Sequence, residues 1–358
     1  MTKVLDKLET QGSLAFLQDM LFAHIIERFS RQHISNHTCK LASYYALATK
    51  LQTVKRTTIF TMKPTDYQYT PNLYLTTLGH ESMLLIQDIN FNTLISQPPS
   101  FLCFHPMISA VVQKMIAHHL PYRPTNNHVQ YESVIDQCIS DFKVSTTTRD
   151  FQSQLRNWNT RFKSGMREYD SFMQKIQETT DRFEVHSLIV QRRLKQNGQP
   201  LEFDDVGFTD QLNEEVVMEK AKSITKAVWR NKSKNNVIGV LSKREIDLAG
   251  TDTVRLIFFV KKEFSDWEHF HKTALYRDLS TFFIDHHVDR IALGRISSMN
   301  AGITSLFQQQ ELNYYDLNQN YVGDRLKHLK AQLVGSDFWI RVRNKESTIK
   351  VERSPNLD

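Results

Sequence analysis

The chain has 358 residues, 40% of them hydrophobic and 23% charged, and this composition excludes a disordered or low-complexity protein. It is enough for two domains with apolar cores, and the three cysteines are too far apart in sequence to form a zinc-binding pair. A net charge of +6 permits an acidic partner such as nucleic acid without requiring one. No apolar run approaches the ~18 residues of a membrane-spanning helix, so we expect a cytoplasmic protein with reduced thiols that does not contact a membrane.

The first half of the chain is predicted to be mostly helical. Apolar residues recur at helical spacing in four segments, 13–53, 107–119, 129–142 and 149–180. Two further segments are predicted as short strands, 57–62 and 82–89. Two prolines and two asparagines in 120–127 indicate a linker. We therefore expect a mostly helical N-terminal domain over 1–120 and a helical connector over 128–180, followed by a second domain over 181–358.

Strand-like and helical segments alternate in that second domain. They are a strand at 183–194, a helix at 210–230, strands at 237–246 and 253–260, and a helix at 266–285. A tight turn through Gly250 joins the two later strands, which indicates an antiparallel hairpin. The order β-α-β-β-α therefore predicts an α+β fold with an antiparallel sheet.

Paired histidines are the first candidate for chemistry. His269 and His271 flank a phenylalanine, but their neighbours suit a helix, where residues two apart diverge by ~200° and cannot share one ion. The adjacent pairs at 118–119 and 286–287 have the same defect. There is also no phosphate-binding glycine loop and no nucleophile elbow. We therefore predict no metal site, no cofactor and no catalytic residue.

The helix at 210–230 carries the clearest basic surface. Lys222, Lys226 and Arg230 are spaced by four residues and fall on one face, and no acid interrupts 220–234. Apolar residues on the opposite side are predicted to pack on the sheet. Phosphate contact is physically reasonable for such a row, because lysine and arginine displace condensed counterions. A solvated helix face accounts for the same residues.

The C-terminal region is a second basic segment. Arg341 and Arg343 follow Phe338 and Trp339, and basic residues interleaved with aromatics suit backbone contact combined with base stacking. A strand with a buried Trp339 and exposed arginines explains the pattern equally well.

The second half resembles the YagK/YfjJ C-terminal domain, which occurs in replication proteins of filamentous phages (inoviruses) and related prophages. The resemblance covers about 150–354 and rests on the strand at 183–194, the helix around Ala227-Val228-Trp229, the strand pair ending in VRLIFFVKK and the tail LVGSDFWIRVRNKESTIKVERS. It implies a Rep-like or RRM-like domain in which a metal-bound histidine pair helps a tyrosine to nick single-stranded DNA.

The residues of that nicking site are not present at the matching positions. Thr253 and Arg255 stand where the resemblance implies the histidines, and Gln332 and Gly335 stand where it implies the tyrosine and a lysine. Arginine is a permanent cation that repels a divalent metal. The resemblance therefore implies a relative that does not cleave, in which Arg255 replaces the charge of the metal and holds a phosphate.

We accordingly expect a non-catalytic nucleic-acid-binding protein of phage or prophage type, related to rolling-circle replication initiators, with single-stranded DNA as partner. The predicted contacts are Lys222, Lys226, Arg230, Arg255, Arg341 and Arg343. Two alternatives stay open. One is an active DNA nickase with a divergent site that uses Tyr314, Tyr315 or Tyr321 with His269 and His271. The other is a protein-interaction or regulatory module with no role in nucleic-acid binding.

Overall fold

A computed structural model describes most of the chain. The described residues are 14, 31–53, 60–63, 72–75, 82–83, 85–98, 102–122, 128–192, 210–246, 252–262, 273–284, 291–293, 297–298, 314–342 and 349–355. Within them, no helix combines the length and the apolarity that are needed to cross a membrane.

The first half is mostly helical, as the sequence predicts. Its elements are α1 (Arg31–Thr53), β1 (Phe60–Lys63), β2 (Asn72–Leu75), α2 (Ile89–Ser96), β3 (Leu102–Phe104), α3 (Pro106–Ala117), a 3-10 turn (Leu120–Tyr122), α4 (His128–Thr147) and α5 (Arg149–Thr179). Residues 82–83 and 85–86 are helical, so the strand predicted at 82–89 is wrong. The period of so short an apolar run does not distinguish a strand from a buried helical turn.

The second half mixes strands and helices, as expected for an α+β protein. Its elements are β4 (Arg182–Arg192), α6 (Asp210–Arg230), α7 (Lys232–Asn235), β5 (Val237–Ile246), β6 (Asp252–Lys261), α8 (Ala274–Ile284), β7 (Ile291–Leu293), β8 (Ser297–Ser298), β9 (Tyr314–Asp316), α9 (Val322–Lys330), a π-helical turn (Ala331–Gly335), α10 (Ser336–Trp339), β10 (Ile340–Val342) and β11 (Ile349–Arg353). Both the helix at 210–230 and the hairpin of β5 and β6 are confirmed.

The chain forms two compact units whose boundaries differ from the predicted domains. One comprises Ser35–Thr160 and Phe338–Arg343, and we call it the helical unit. The other comprises Met1–Ile34, Arg161–Asp337 and Asn344–Asp358, and we call it the sheet unit. Helix α5 therefore contributes to both units, and the strand β10 joins the helical unit, where it pairs with β3.

His105 lies at the centre of the helical unit. It is fully buried, and its ring contacts Tyr45 at 4.9 Å and Phe338 at 4.8 Å between centroids. Its Nδ1 accepts a hydrogen bond from the backbone N–H of Met107 and so caps α3. Burial lowers the pKa of His105 to about 3, and the charge of Arg341 acts in the same direction.

The sheet unit is built on one antiparallel sheet. The strand order is β11-β5-β6-β4-β7, and β8 and β9 also pair with β4. One face of the sheet is covered by α6 and α8. The residues of this core are apolar: Leu188, Val190, Val217, Ala221, Ile224, Val228, Val237, Val240, Val254, Leu256, Phe258, Val260, Leu275 and Leu279.

The second face of the sheet is approached closely by α5. An added Cβ at Gly239 of β5 would lie 2.7 Å from both Ile176 Cδ1 and Phe172 Cζ. Phe172 also contacts Phe259 of β6, with 5.0 Å between ring centroids. Glycine is therefore required at 239 by the close approach of the helix to the strand.

We expect Gly239→Val to lower the free energy of unfolding by about 1–3 kcal/mol, because the new methyl groups overpack a filled interface. Urea denaturation measures this change. The matched control is Gly323→Ala in α9, where nothing lies within 4 Å of an added Cβ. Equal stability of the Gly239→Val variant and the wild type would contradict the packing described above.

His105 should make the helical unit sensitive to acid. Its pKa is 6.5 when unperturbed and about 3 in the folded protein, so the folded state favours the neutral ring. The stability contributed by the neutral ring is fully present above pH 6.5 and is lost as the pH falls towards 3. His105→Asn keeps a capping acceptor but removes the titrating group.

We therefore expect the wild type to lose stability relative to His105→Asn as the pH falls through this range. Urea denaturation of both proteins at several pH values measures the difference. A constant difference in unfolding free energy across the range would show that His105 is not held neutral.

Candidate nucleic-acid interface

Three of the predicted cations lie together on the outer face of α6. Lys222, Lys226 and Arg230 are all exposed and follow one another at intervals of four residues. The opposite face of the helix is buried in the sheet core, as predicted. We call these three residues the basic row. Among the described residues, none of the three forms an ion pair with a neighbour.

Positive charge continues beyond the end of α6. The Lys232 ammonium lies 4.7 Å from the centroid of the Trp229 ring, and Lys234 is exposed on α7. A cation over an indole face is attracted to the ring and is held in place by it. In the sequence, the basic row is therefore followed by a second group of cations, Lys232 and Lys234, with no acidic residue in between.

Arg255 is not part of this surface. Its Nε donates to Glu245 Oε1 at 2.8 Å and its Nη2 donates to Glu245 Oε2 at 3.1 Å. The two side chains are 12% and 6% exposed. A bidentate pair of this kind uses the charge of the guanidinium within the fold. The guanidinium of Arg255 is therefore held by Glu245 and is not exposed in an open cleft, unlike the arrangement that the sequence predicts.

Lys243 is the register partner of Arg255 on the neighbouring strand. Its Nζ donates to the carbonyl oxygen of Leu333 at 2.7 Å and to Ser336 Oγ, and lies 3.6 Å from Asp337 Oδ1. Burial lowers the pKa of this ammonium, and the charges of Asp337 and Glu245 counteract the effect. We call Lys243, Glu245, Arg255 and Asp337 the buried charge cluster.

The positions that the resemblance assigns to a nicking site lie beside this cluster. Gln332 and Gly335 are buried in the π-helical turn, and the carbonyl oxygen of Gln332 is 3.4 Å from Lys243 Nζ. Thr253 is the register partner of Glu245. Within the described residues, no group of three or more His, Cys, Asp or Glu side chains is placed to hold a metal ion.

Arg341, the first predicted contact of the tail, is packed inside the helical unit. Arg341 is 8% exposed in the helical unit, and its guanidinium lies 4.2 Å from the centroid of the Trp158 ring. Trp339 is 1% exposed, in agreement with the interpretation that places it in a core. Arg343 lies outside the described residues.

The residues of the alternative nickase are also dispersed or not described. Tyr314 and Tyr315 are buried in β9, where the Tyr315 ring stacks on Phe183 at 5.1 Å. Tyr321 is 50% exposed at the start of α9. His269 and His271 lie outside the described residues.

Sequence reasoning did not single out Lys243 or Glu245. A signal for them exists, because 241, 243 and 245 share one face of a strand and this face meets Arg255 across a short hairpin.

Comparisons with protein-family models, with curated proteins and with solved structures found no match.

We expect Glu245→Leu to lower the free energy of unfolding by about 3 kcal/mol, because it removes the bidentate carboxylate from the largely buried guanidinium of Arg255. The double variant Glu245→Leu/Arg255→Met should be more stable than Glu245→Leu alone. Urea denaturation of the two single variants and the double variant gives the coupling energy.

The matched control is the exposed pair of Lys327 and Asp324, whose side chains are 66% and 77% exposed. Asp324→Ala should leave the free energy of unfolding nearly unchanged, because solvent screens this pair. Additive effects of the two substitutions at 245 and 255 would show that the pair is not coupled in the fold.

Proposed function

We propose that this protein is a non-catalytic, cytoplasmic nucleic-acid-binding protein of phage or prophage type, with single-stranded DNA as its partner. The observation that carries the proposal is the basic row of Lys222, Lys226 and Arg230 on the exposed face of α6. Cations four residues apart on a helix lie ~6 Å from each other. This distance is similar to the distance between successive phosphates along a single strand. Such a row neutralises several phosphates at once.

The sheet supports the Rep-like or RRM-like part of the proposal. Two helices, α6 and α8, cover one face of an antiparallel sheet, and β4 lies between β6 and β7. The first strand of the domain is thus central, and the hairpin of β5 and β6 lies on one side of it. This arrangement supports the proposal of a Rep-like or RRM-like domain.

The buried charge cluster supports the absence of nicking. The strand that the resemblance assigns to metal-binding histidines carries Arg255, and the adjacent strand carries Lys243. The two carboxylates of the cluster are each paired with a cation, Glu245 with Arg255 and Asp337 with Lys243, so neither is left as a ligand for a divalent metal ion. The nearby positions, Gln332 and Gly335, offer no nucleophile for a phosphodiester.

The test is fluorescence anisotropy with a labelled single-stranded oligonucleotide across a salt series. We expect the wild type to bind with an affinity that falls as salt rises, and the triple variant Lys222→Glu/Lys226→Glu/Arg230→Glu to bind at least tenfold more weakly. Three lost phosphate contacts should reduce the logarithmic salt slope by about 2, since each contact contributes ~0.7 on single strands.

The control is Arg156→Glu/Lys163→Glu/Arg167→Glu, which makes the same change in net charge at exposed positions of α5. It should bind like the wild type. Equal losses in the two triple variants would mean that net charge, and not the basic row, drives binding. A covalent protein–DNA adduct formed with Mg²⁺ or Mn²⁺ would show instead that the protein is a nickase.

A further inference from the structure

A cavity of about 200 Å³ lies in the sheet unit, apart from the basic row of α6. Strands β4 and β6 and helices α7 and α8 contribute to its walls. Its polar lining includes Glu184, His186, Lys234, Asn235, Lys262 and Thr273. The volume is below the ~300 Å³ that drug-sized ligands occupy, so the cavity suits a smaller molecule.

Two ionisable side chains are buried in one wall. Glu184 and His186 lie two residues apart on β4 and are 1% and 3% exposed. His186 Nε2 is 3.1 Å from Glu184 Oε2. They share a sheet face with Leu188 and Val190, which belong to the apolar core. The two side chains therefore bring polar groups into a wall that is otherwise continuous with the apolar core.

Asn235 provides an acceptor in another wall. It is 4% exposed, and its Nδ2 donates to Asp278 Oδ2 at 2.7 Å. Its Oδ1 has no hydrogen-bond partner among the described residues. An unsatisfied buried acceptor is unfavourable, and a ligand hydroxyl would provide the missing hydrogen bond.

The charge of the lining favours an anion. Lys234 and Lys262 oppose a single carboxylate, Glu184, so the formal charge of the three is positive. The helix α8, of 11 residues, also begins at this cavity. Its first turn is capped by Thr273, whose Oγ1 accepts a hydrogen bond from the N–H of Tyr276. The amino end of a helix carries partial positive charge, which adds to that of the lysines.

We propose that this cavity binds a sugar phosphate. Lys234, Lys262 and the amino end of α8 hold the phosphate, while Asn235 Oδ1 and Glu184 accept hydrogen bonds from the sugar hydroxyls. Val260 and Leu275, which also line the cavity, pack against the carbons of the sugar. The ligand is either a free sugar phosphate or the phosphorylated end of a nucleic-acid strand. The site uses no residue of the basic row, so it does not depend on the function proposed above.

The experiment is isothermal titration of the full-length protein with ribose 5-phosphate, with ribose and inorganic phosphate as partial ligands. We expect saturable binding of ribose 5-phosphate that is at least fivefold tighter than that of either part. Lys234→Glu, at an exposed position, and His186→Gln should each weaken it at least fivefold. Lys163→Glu, at an exposed position of α5 outside the cavity lining, is the matched control and should bind like the wild type. Circular dichroism checks that each variant is folded.

A second arm identifies the source of the ligand. Single-stranded oligonucleotides that differ only by a 5′-phosphate are compared on the wild type and on Lys234→Glu. A preference for the phosphorylated strand that Lys234→Glu removes assigns the site to strand ends, and its absence alongside ribose 5-phosphate binding assigns the site to the free compound. Failure of ribose 5-phosphate to saturate the protein at millimolar concentration, or binding unchanged in both variants, would overturn the proposal. Either failure leaves the strand-binding test of the basic row unaffected.

Discussion

The sheet unit depends on the neutralisation of two buried cations that face each other on adjacent strands. Lys243 and Arg255 are register partners, and like charges in that relation repel each other. Glu245 pairs with Arg255 from the same hairpin, but the partners of Lys243 come from 332–337, about ninety residues later in the chain. An uncompensated buried charge costs several kcal/mol, so this late segment, together with Glu245, stabilises the ammonium of Lys243 in the sheet.

This requirement explains how the end of the chain is used. The π-helical turn places two consecutive carbonyl oxygens, those of Gln332 and Leu333, near Lys243 Nζ, and Asp337 follows. The next residue, Phe338, already belongs to the helical unit, where its carbonyl oxygen accepts a hydrogen bond from Trp158 Nε1. The chain then re-enters the sheet as β11, and Ile349 becomes the register partner of Lys243 on its other side. A single stretch of sequence therefore completes both units.

The elements that local periodicity defines could be predicted from the sequence, and those that long-range pairing defines could not. The helix at 210–230 and its exposed cations were predictable, because every position from Val217 to Arg230 obeys one period. The hairpin of β5 and β6 was predictable from two strand-like segments and a short turn.

The burial of Arg341 could not be predicted from the sequence, because it depends on β3 and Trp158, which are far away in sequence. The ion pair of Arg255 depends on the register of β5 and β6, which places Glu245 beside it across the hairpin.

Charge balance separates the structural polar groups from those that are available for binding. The buried charge cluster contains two cations and two carboxylates, so it is neutral and needs no ligand. The basic row on α6 has no such internal compensation among the described residues. A protein surface with uncompensated positive charge lowers the energy of an approaching anion. For this reason the proposed strand contacts lie on α6 and not at the guanidinium of Arg255, whose charge the fold already uses.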